Sequence, residues 1–284
     1  MVLFEPPTTL NAVVTGQVCC GDKYLSAILC DHPNITCHSV LLDPDDAVRR
    51  YYHENYFGDA GSTPDWLVDG HISGEQYLTN KIFDNPLKSE EVIGVSILYP
   101  HLYARDLWDY FSEWCRVGDF CVIHLKRNPV ACFVSLKMWE NSGNDVAPLS
   151  VTKRFDRGYT DIVGHPSMLP VGFFSDLSPV YLELDELYEF VRAHLAADLK
   201  VATMCEDRLE ISYEELMLDF SSVCPHLFSF LGCETIPKSA VKHWDSVLRL
   251  KSSKLSLQNV VSNWHSACAR APLDIRPWFD SEAI

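Results

Sequence analysis

Long apolar runs and positive charge are both scarce in this chain of 284 residues. No apolar run approaches the roughly 20 residues that span a bilayer. Residues 1–7 include acidic Glu5 and lack the basic and apolar regions of a signal peptide, so we expect no membrane segment and a cytoplasmic location. Lysine and arginine number 23 against 39 acidic residues, which gives a formal net charge of −16. Because phosphate backbones repel such a chain, general nucleic-acid binding is not expected.

Cysteine pairs with the spacing of a zinc site are missing as well. The chain has 11 cysteines, but none of them form a C-x-x-C motif. Cys19 and Cys20 are adjacent, which is poor geometry for tetrahedral zinc. We therefore predict no metal centre. Since no export signal is visible, we expect the cysteines to be reduced thiols.

The order of apolar segments predicts the fold class. Hydrophobic residues make up 47% of the chain and charged residues 22%, the balance of a globular protein. Short apolar runs predict buried strands, and each run is followed by helical spacing. The predicted strands are 10–15, 92–99 and 120–125, and the helices are 24–30, 104–115 and 130–139. This alternation predicts a three-layer α/β sandwich, a central parallel sheet flanked by helices, in one domain spanning 1–284.

The second half of the chain is less regular. Residues 141–179 combine Gly, Pro, Ser and Asp with weak periodicity, which predicts a long loop or lid over the sheet. Beyond it the pattern predicts helices at 184–197 and 214–231, the second closed by a glycine, on either side of a strand at 208–212. A polar loop and a short helix follow, and the tail 271–284 is expected to pack irregularly or to fray.

The turn between the first strand and helix, Gly16 to Lys23, is a candidate phosphate site. Backbone N–H groups and the helix dipole point at an anion in such turns. The turn nearly meets the Walker pattern G-x-x-x-x-G-K-S/T, but Asp22 follows Gly21 where a lysine belongs. A P-loop kinase or nucleoside triphosphatase is therefore not expected. An ordinary strand-to-helix turn is the alternative.

The third strand–turn–helix contains a second candidate. Arg127 ends the strand, and Ser135 stands eight residues later, two turns into the next helix. Such a pair can grip one phosphate, because arginine supplies a charged fork of donors and serine a hydroxyl. The alternative is a surface arginine and a serine that faces its own helix.

Four segments, in order along the chain, resemble the sulfotransferase family. Gly21 to Ile35 (GDKYLSAILCDHPNI) is similar to the family's G-T-S/T-L-L…H-P-x-I pattern, and Ile93 to Tyr99 (IGVSILY) to its G-F/V-K-I/L-x-Y strand. Val122 to Ser135 (VIHLKRNPVACFVS) is close to its 3′-phosphate motif. Ile211 to Gly232 resembles its Y-E-x-L…F-L-G region, and Leu250 to Trp264 its closing loop. The family transfers a sulfuryl group from 3′-phosphoadenosine-5′-phosphosulfate (PAPS) to a hydroxyl or amine.

The resemblance implies a P-loop-NTPase-like sulfotransferase fold and a role for each matching position. The 5′-phosphosulfate loop would consist of Gly21, Asp22, Lys23 and Tyr24. The 3′-phosphate would be held by Arg127 and Ser135 and covered by Lys251, Ser252 and Ser253. Tyr213 would lie on the adenine side. PAPS and its product, 3′-phosphoadenosine 5′-phosphate (PAP), are the implied co-substrate and product.

The reactive end departs from the family's pattern. The family's R-S-G-T sequence is replaced here by Cys19, Cys20, a glycine and Asp22, and Ser96 stands at the position of the strand lysine. A carboxylate a few ångströms from a phosphosulfate repels it by about a few kcal/mol at intermediate dielectric. Lys23 follows Asp22 directly, and its positive charge would partly offset this repulsion. Alternatively, Asp22 caps the helix as a built-in anion and fills the site itself.

The family's catalytic glutamate is also missing. It stands a few residues after His-Pro, at positions that are here Ser39 and Val40. His38 and His101 are the candidate bases, because a histidine in a cleft titrates near neutral pH. A packed or surface histidine is the alternative for each of them. The acidic turn at 43–46 fits a solvated loop.

Two functions remain open from the sequence. The first is a divergent PAPS-dependent sulfotransferase in which Lys23 stabilises the leaving phosphate, His38 or His101 is the base, and residues 141–179 cover the acceptor. The second is a non-catalytic descendant of the same fold, used as a structural or assembly module or as a nucleotide sensor. Its acidic surface and aromatic-rich segment 51–66 would suit a protein partner or a larger assembly. The sequence does not decide between enzyme and non-enzyme, nor does it identify the acceptor or the oligomeric state.

Overall fold

A computed structural model describes residues 10–38, 78–83, 92–104, 106–117, 120–141, 152–155, 158–161, 179–252 and 256–279. The strands are β1 (Leu10–Gly16), β2 (Ile35–His38), β3 (Val92–Leu98), β4 (Phe120–Lys126), β5 (Thr152–Phe155), β6 (Gly158–Asp161) and β7 (Leu209–Ser212). The helices are α1 (Asp22–Cys30), α2 (Tyr99–Ala104), α3 (Trp108–Val117), α4 (Pro129–Asn141), α5 (Leu184–Met204), α6 (Tyr213–Leu218), α7 (Phe220–Phe230), α8 (Lys238–Ser252), α9 (Leu257–Val260) and α10 (Trp264–Arg270). A π-helical segment lies at Leu78–Phe83 and a 3-10 turn at Arg276–Phe279.

Five strands form one parallel sheet in the order β2-β3-β1-β4-β7. The central strand β1 places Val13 opposite Val95 of β3 and Val122 of β4. Chain order reverses at β1, since β2 and β3 lie on one side of it and β4 and β7 on the other. In such sheets the crevice at the carboxyl ends of the strands flanking this switch point binds ligands. The predicted α/β sandwich with a central parallel sheet is confirmed.

Helices cover both faces of the sheet, which is why its strands are apolar along their whole length. Ala12 and Val14 of β1 pack against α1, α6, α7 and α8, whereas Val13 packs on the opposite face against α2, α3 and α5. A third apolar cluster joins α4, α5, α9, α10 and the 3-10 turn. Its members Ile275 and Phe279 are buried, so the tail packs as far as Phe279.

Several helix boundaries differ from the sequence predictions. The helix expected at 104–115 begins later, at Trp108, as α3, because Asp106 before it adopts a positive φ of 52°. The short helix α2 ends just before this turn. The helix expected at 214–231 is also divided, at Asp219, whose φ of −142° and ψ of 52° are not helical. Gly232 follows α7 with a φ of 67°, the left-handed conformation that commonly ends a helix.

The segment 141–179, predicted as a long loop, contains the antiparallel hairpin β5–β6. The loop prediction was therefore wrong for these two short strands. The remainder of that segment lies outside the described residues, so its role as a lid stays a prediction, as does the single domain over 1–284.

Cys115 and Cys205 form a disulfide, which corrects the expectation of reduced thiols at these two positions. Cys115 lies near the end of α3 and Cys205 directly follows α5, and their Cα atoms are 5.1 Å apart. The other nine cysteines form no disulfide. Because 90 residues separate the two cysteines, the sequence pattern did not indicate their pairing.

Within the ranges described above, no helix is both long enough and apolar enough to cross a bilayer.

Candidate functional site

The loop 17–21 joins β1 to α1 at the carboxyl edge of the sheet. Cys19 and Gly21 both have positive φ, 62° and 98°, which gives the loop a tight path. A Cβ on Gly21 would lie 2.6 Å from Cδ2 of Tyr213, closer than real side chains approach. Glycine is therefore required here by its backbone conformation and by its contact with the tyrosine ring.

Arg127, which directly follows β4, contacts this loop. Its side chain is more than nine-tenths buried, and its Nη1 donates a hydrogen bond to the carbonyl of Cys19. The guanidinium carbon lies 4.0 Å from the ring centroid of Tyr213, a cation–π contact. The Nε–H is buried and has no hydrogen-bond partner among the described residues. Because a buried unpaired donor is costly, this N–H is a ready partner for an anion.

Tyr213 is the first residue of α6 and lies between Gly21 and Arg127. A capping box fixes the start of this helix, since Ser212 Oγ accepts from the amide of Glu215 at 3.1 Å and the Glu215 carboxylate accepts from the amide of Ser212 at 3.1 Å. Burial raises the pKa of Tyr213 although the charge of Arg127 lowers it, so the phenol is neutral. Three motifs that are distant in sequence thus meet in one cluster.

Asn128 caps the helix that follows Arg127. Its Oδ1 accepts hydrogen bonds from the amides of Val130 at 2.9 Å and Ala131 at 3.2 Å. Its Nδ2 donates to the carbonyl of Trp278 at 2.8 Å, which ties α4 to the C-terminal 3-10 turn. Ser135 lies half-buried in the same helix, and its contact with a 3′-phosphate stays a prediction.

Asp22, the first residue of α1, is turned into the protein. Its carboxylate is buried and accepts a hydrogen bond from Ser96 Oγ at 3.2 Å. Burial raises the pKa of Asp22 more than Lys23, Ser96 and the backbone amides of Asp22 and Lys23 lower it. The carboxylate thus lies against the start of α1, where a phosphate loop holds its anion.

The remaining predicted nucleotide contacts are only partly described. Lys23 and Tyr24 are half-buried in the first turn of α1. The side chains of Lys251 and Ser252 at the end of α8, and Ser253 as a whole, lie outside the described residues. Their proposed roles in closing over the nucleotide stay predictions.

Both candidate bases are packed inside the protein. His38 ends β2 and is fully buried. His101 lies in α2, where its Nδ1 accepts from the amide of Leu98 at 3.2 Å and burial lowers its pKa to about 4. His101 is therefore neutral at pH 7, with its acceptor nitrogen occupied. Either histidine as a base stays a prediction, and His101 would have to release the Leu98 amide to act as one. Ser39, Val40 and the acidic turn 43–46 lie outside the described residues.

A buried polar network on the other face of the sheet was not predicted from the sequence. The hydroxyl of Tyr99 donates to Asp198 Oδ1 and lies 2.6 Å from His124 Nε2. His124 Nε2 is 3.3 Å from Asp198 Oδ1, and His194 Nε2 is 3.6 Å from Asp198 Oδ2. Burial lowers the pKa of His194 to about 4. The network joins α2, β4 and α5.

The ionisation of the carboxylate in this network follows from its neighbours. Burial raises the pKa of Asp198, whereas the hydrogen bonds from His124 and Tyr99 and the nearby His194 lower it. The lowering is larger, so the pKa of Asp198 lies below its usual value.

The one indication of this network in the sequence was a histidine, His124, inside the apolar strand 120–125. Its partner on α5 stands 74 residues away and was not recognisable.

In the part of the chain that the structure covers, no group of three His, Cys, Asp or Glu side chains is arranged to hold a metal.

Comparisons with known proteins gave structural matches alone. No family model matches the chain, and no curated protein matches it by sequence. A sulfotransferase from Alicyclobacillus acidocaldarius is 16% identical with a TM-score of 0.45, over 95% of this chain and 92% of that one. The sulfotransferase STF9 from Mycobacterium avium is 13% identical with a TM-score of 0.40, over 95% and 79%. A mouse sulfotransferase complexed with PAP is 12% identical with a TM-score of 0.39, over 99% and 77%.

Proposed function

We propose that this chain is a sulfotransferase-like protein that binds a 3′-phosphoadenosine nucleotide, PAPS or PAP, at the carboxyl edge of its sheet. The main support for the proposal is that residues of three sequence motifs contact one another in one cluster. Gly21 packs on Tyr213, Tyr213 stacks on Arg127, and Arg127 donates to Cys19. These residues come from the loop after β1, the end of β4 and the start of α6.

The unpaired donor of Arg127 supports a phosphate at this cluster. A buried guanidinium with an unused N–H next to a tight backbone loop has the donor geometry and the charge that a phosphate requires. Ser135 would add a hydroxyl, and Lys251, Ser252 and Ser253 would close over the same phosphate. Tyr213 would support the adenine side, and Gly21, Lys23 and Tyr24 would lie nearest the 5′ end.

Sulfuryl transfer from PAPS requires two actions from the residues of this site, stabilisation of the leaving phosphate and removal of a proton from the acceptor. An acceptor hydroxyl or amine attacks the sulfur while the S–O bond to the 5′-phosphate breaks, and PAP leaves with the electron pair. Lys23 would stabilise the charge that develops on the leaving phosphate. His38 or His101 would accept the acceptor's proton, after rearrangement of its packed environment.

A second candidate function is a non-catalytic nucleotide sensor or assembly module. The observation that favours it is the buried carboxylate of Asp22 and its hydrogen bond with Ser96. A negative charge at the start of α1 competes with the charged groups that a transferring enzyme must hold there. Such a protein would act through a protein partner or a larger assembly rather than on an acceptor.

Calorimetric titration with PAP tests the proposal. We expect micromolar binding by the wild-type protein and at least about tenfold weaker binding by Arg127→Ala, since one buried charged hydrogen bond is lost. Arg116→Ala is the matched control, because that arginine lies exposed on α3 and pairs with Glu113. Arg127→Lys keeps the charge without the planar fork and should also bind more weakly.

The outcomes separate the two functions. Absence of PAP binding by a wild-type protein that unfolds cooperatively would contradict both of them. PAP binding accompanied by sulfuryl transfer from labelled PAPS to phenol, alcohol or amine acceptors supports the enzyme. Binding without transfer to any of these acceptors supports the sensor or module.

A further inference from the structure

We propose that the nucleotide site selects a nucleoside 3′-monophosphate over a 3′,5′-bisphosphate, because the carboxylate of Asp22 occupies the place of the 5′ anion. This inference rests on the proposed function, since it takes Arg127 as the partner of the 3′-phosphate. It goes further by assigning the chemical class of the ligand. One end of the ligand is a phosphate, and the other end is neutral or a hydrogen-bond donor.

The loop end of the site is already supplied with a negative charge. Asp22 is buried at the first position of α1, and the amides of Asp22 and Lys23 face its carboxylate. These are the groups that would otherwise hold a phosphate at a helix start. Ser96 Oγ donates to the same carboxylate at 3.2 Å and holds it against β3. A second anion at this point would lack donors and would meet a like charge.

Arg127, which contacts the same loop at Cys19, keeps an unsatisfied hydrogen-bond donor. Arg127 is more than nine-tenths buried, and its Nε–H has no hydrogen-bond partner among the residues that the structure describes. Its Nη1 is used by the carbonyl of Cys19, and its plane is fixed on Tyr213. We therefore assign the Nε–H of Arg127 to the 3′-phosphate of the ligand. The site thus combines a buried carboxyl group at Asp22 with an unused cationic donor at Arg127.

Lys23 does not remove this asymmetry. It follows Asp22 in α1 and its charge acts on that carboxylate, lowering the pKa of Asp22. The lysine is thus engaged with Asp22, and a 5′ anion at this loop would still lie against the buried carboxylate. A hydroxyl, such as the free 5′ hydroxyl of adenosine 3′-monophosphate, can donate to the carboxylate instead of being repelled by it.

The test is calorimetric titration of the full chain with adenosine 3′-monophosphate and, separately, with PAP. The wild-type protein is expected to bind the monophosphate at least as tightly as PAP. Asp22→Asn keeps the shape of the side chain and a partner for Ser96 but removes the charge. It should move the ratio of the two affinities toward PAP by at least about tenfold, because the repulsion between the carboxylate and the 5′-phosphate is removed.

Asp109→Asn is the matched control, since it removes the same charge from an exposed position on α3 and should leave the ratio unchanged. Binding of neither nucleotide by wild type and Asp22→Asn would contradict the proposed function. PAP bound more tightly than the monophosphate by the wild type, or an unchanged ratio in Asp22→Asn, would overturn the selection by Asp22 while leaving the proposed function standing. A shift of equal size in Asp109→Asn would also overturn it.

Discussion

The carboxylate of Asp22 and the hydroxyl of Ser96 are hydrogen bonded at 3.2 Å, although 74 residues separate them in sequence. The contact joins the start of α1 to β3 at the carboxyl edge of the sheet. It places a buried carboxyl group and its hydroxyl donor beside the loop 17–21, at the edge of the sheet where we propose that the nucleotide binds.

Asp22→Asn is predicted to stabilise the protein at neutral pH. Burial raises the pKa of Asp22 in the folded state above its unfolded value. The group's contribution is therefore fully favourable below the unfolded pKa and is lost as pH rises through the folded pKa. Thermal unfolding should give a higher Tm for Asp22→Asn than for wild type at pH 7, with a smaller difference near pH 4. A Tm below that of wild type at pH 7 would contradict this.

Gly21→Ala is predicted to destabilise the loop 17–21. The new methyl would require a positive φ of 98° and would lie 2.6 Å from the ring of Tyr213. We expect a loss of about 1–3 kcal/mol in the free energy of unfolding, measured in urea. Gly232→Ala is the control, since its φ is also positive, at 67°, but nothing lies within 4 Å of its added Cβ. Equal losses in the two variants would show that the Tyr213 contact is unimportant.

Tyr99→Phe is predicted to weaken the buried network. The hydroxyl contacts both Asp198 and His124, so its removal leaves buried polar groups with one partner fewer. The expected cost is about 1–3 kcal/mol of unfolding free energy. Tyr103→Phe on the same helix is the matched control, because its side chain is largely exposed. An effect no larger than that of the control would mean that the network adds nothing to stability.

Reduction of the Cys115–Cys205 bond is predicted to lower stability. The bond links positions 90 residues apart, and constraints of that kind contribute about 2–4 kcal/mol. Cys115→Ser should reproduce the effect of a dithiol reductant, whereas Cys268→Ser, at a free and half-buried cysteine, should not. Mass spectrometry after alkylation under non-reducing conditions checks the bond itself. Eleven alkylated cysteines after denaturation without a reductant would contradict it.

The fold was largely predictable because its strands are continuous apolar runs. β1, β3 and β4 are buried on both faces, so their composition alone distinguishes them from loops. The helix ends were less predictable. Asp106 and Asp219 interrupt amphipathic stretches through their backbone conformation, which the hydrophobic pattern does not record.

The positions of some candidate site residues in the fold were predictable from local spacing. The position of Arg127 after a buried strand and the glycine turn before α1 were both found in this way. The partners of Asp22, His124 and Cys115 were not, because each of these contacts joins segments that are distant in the chain. Such pairs depend on tertiary packing rather than on spacing.

A crystal structure of the chain with adenosine 3′-monophosphate tests the central claim most directly. The account predicts a phosphate oxygen within hydrogen-bond distance of Arg127 Nε, the donor that now lacks a partner among the described residues. It also predicts that Asp22 keeps its hydrogen bond with Ser96. A phosphate bound at the start of α1, with Arg127 unchanged and the Asp22 carboxylate displaced, would contradict the account.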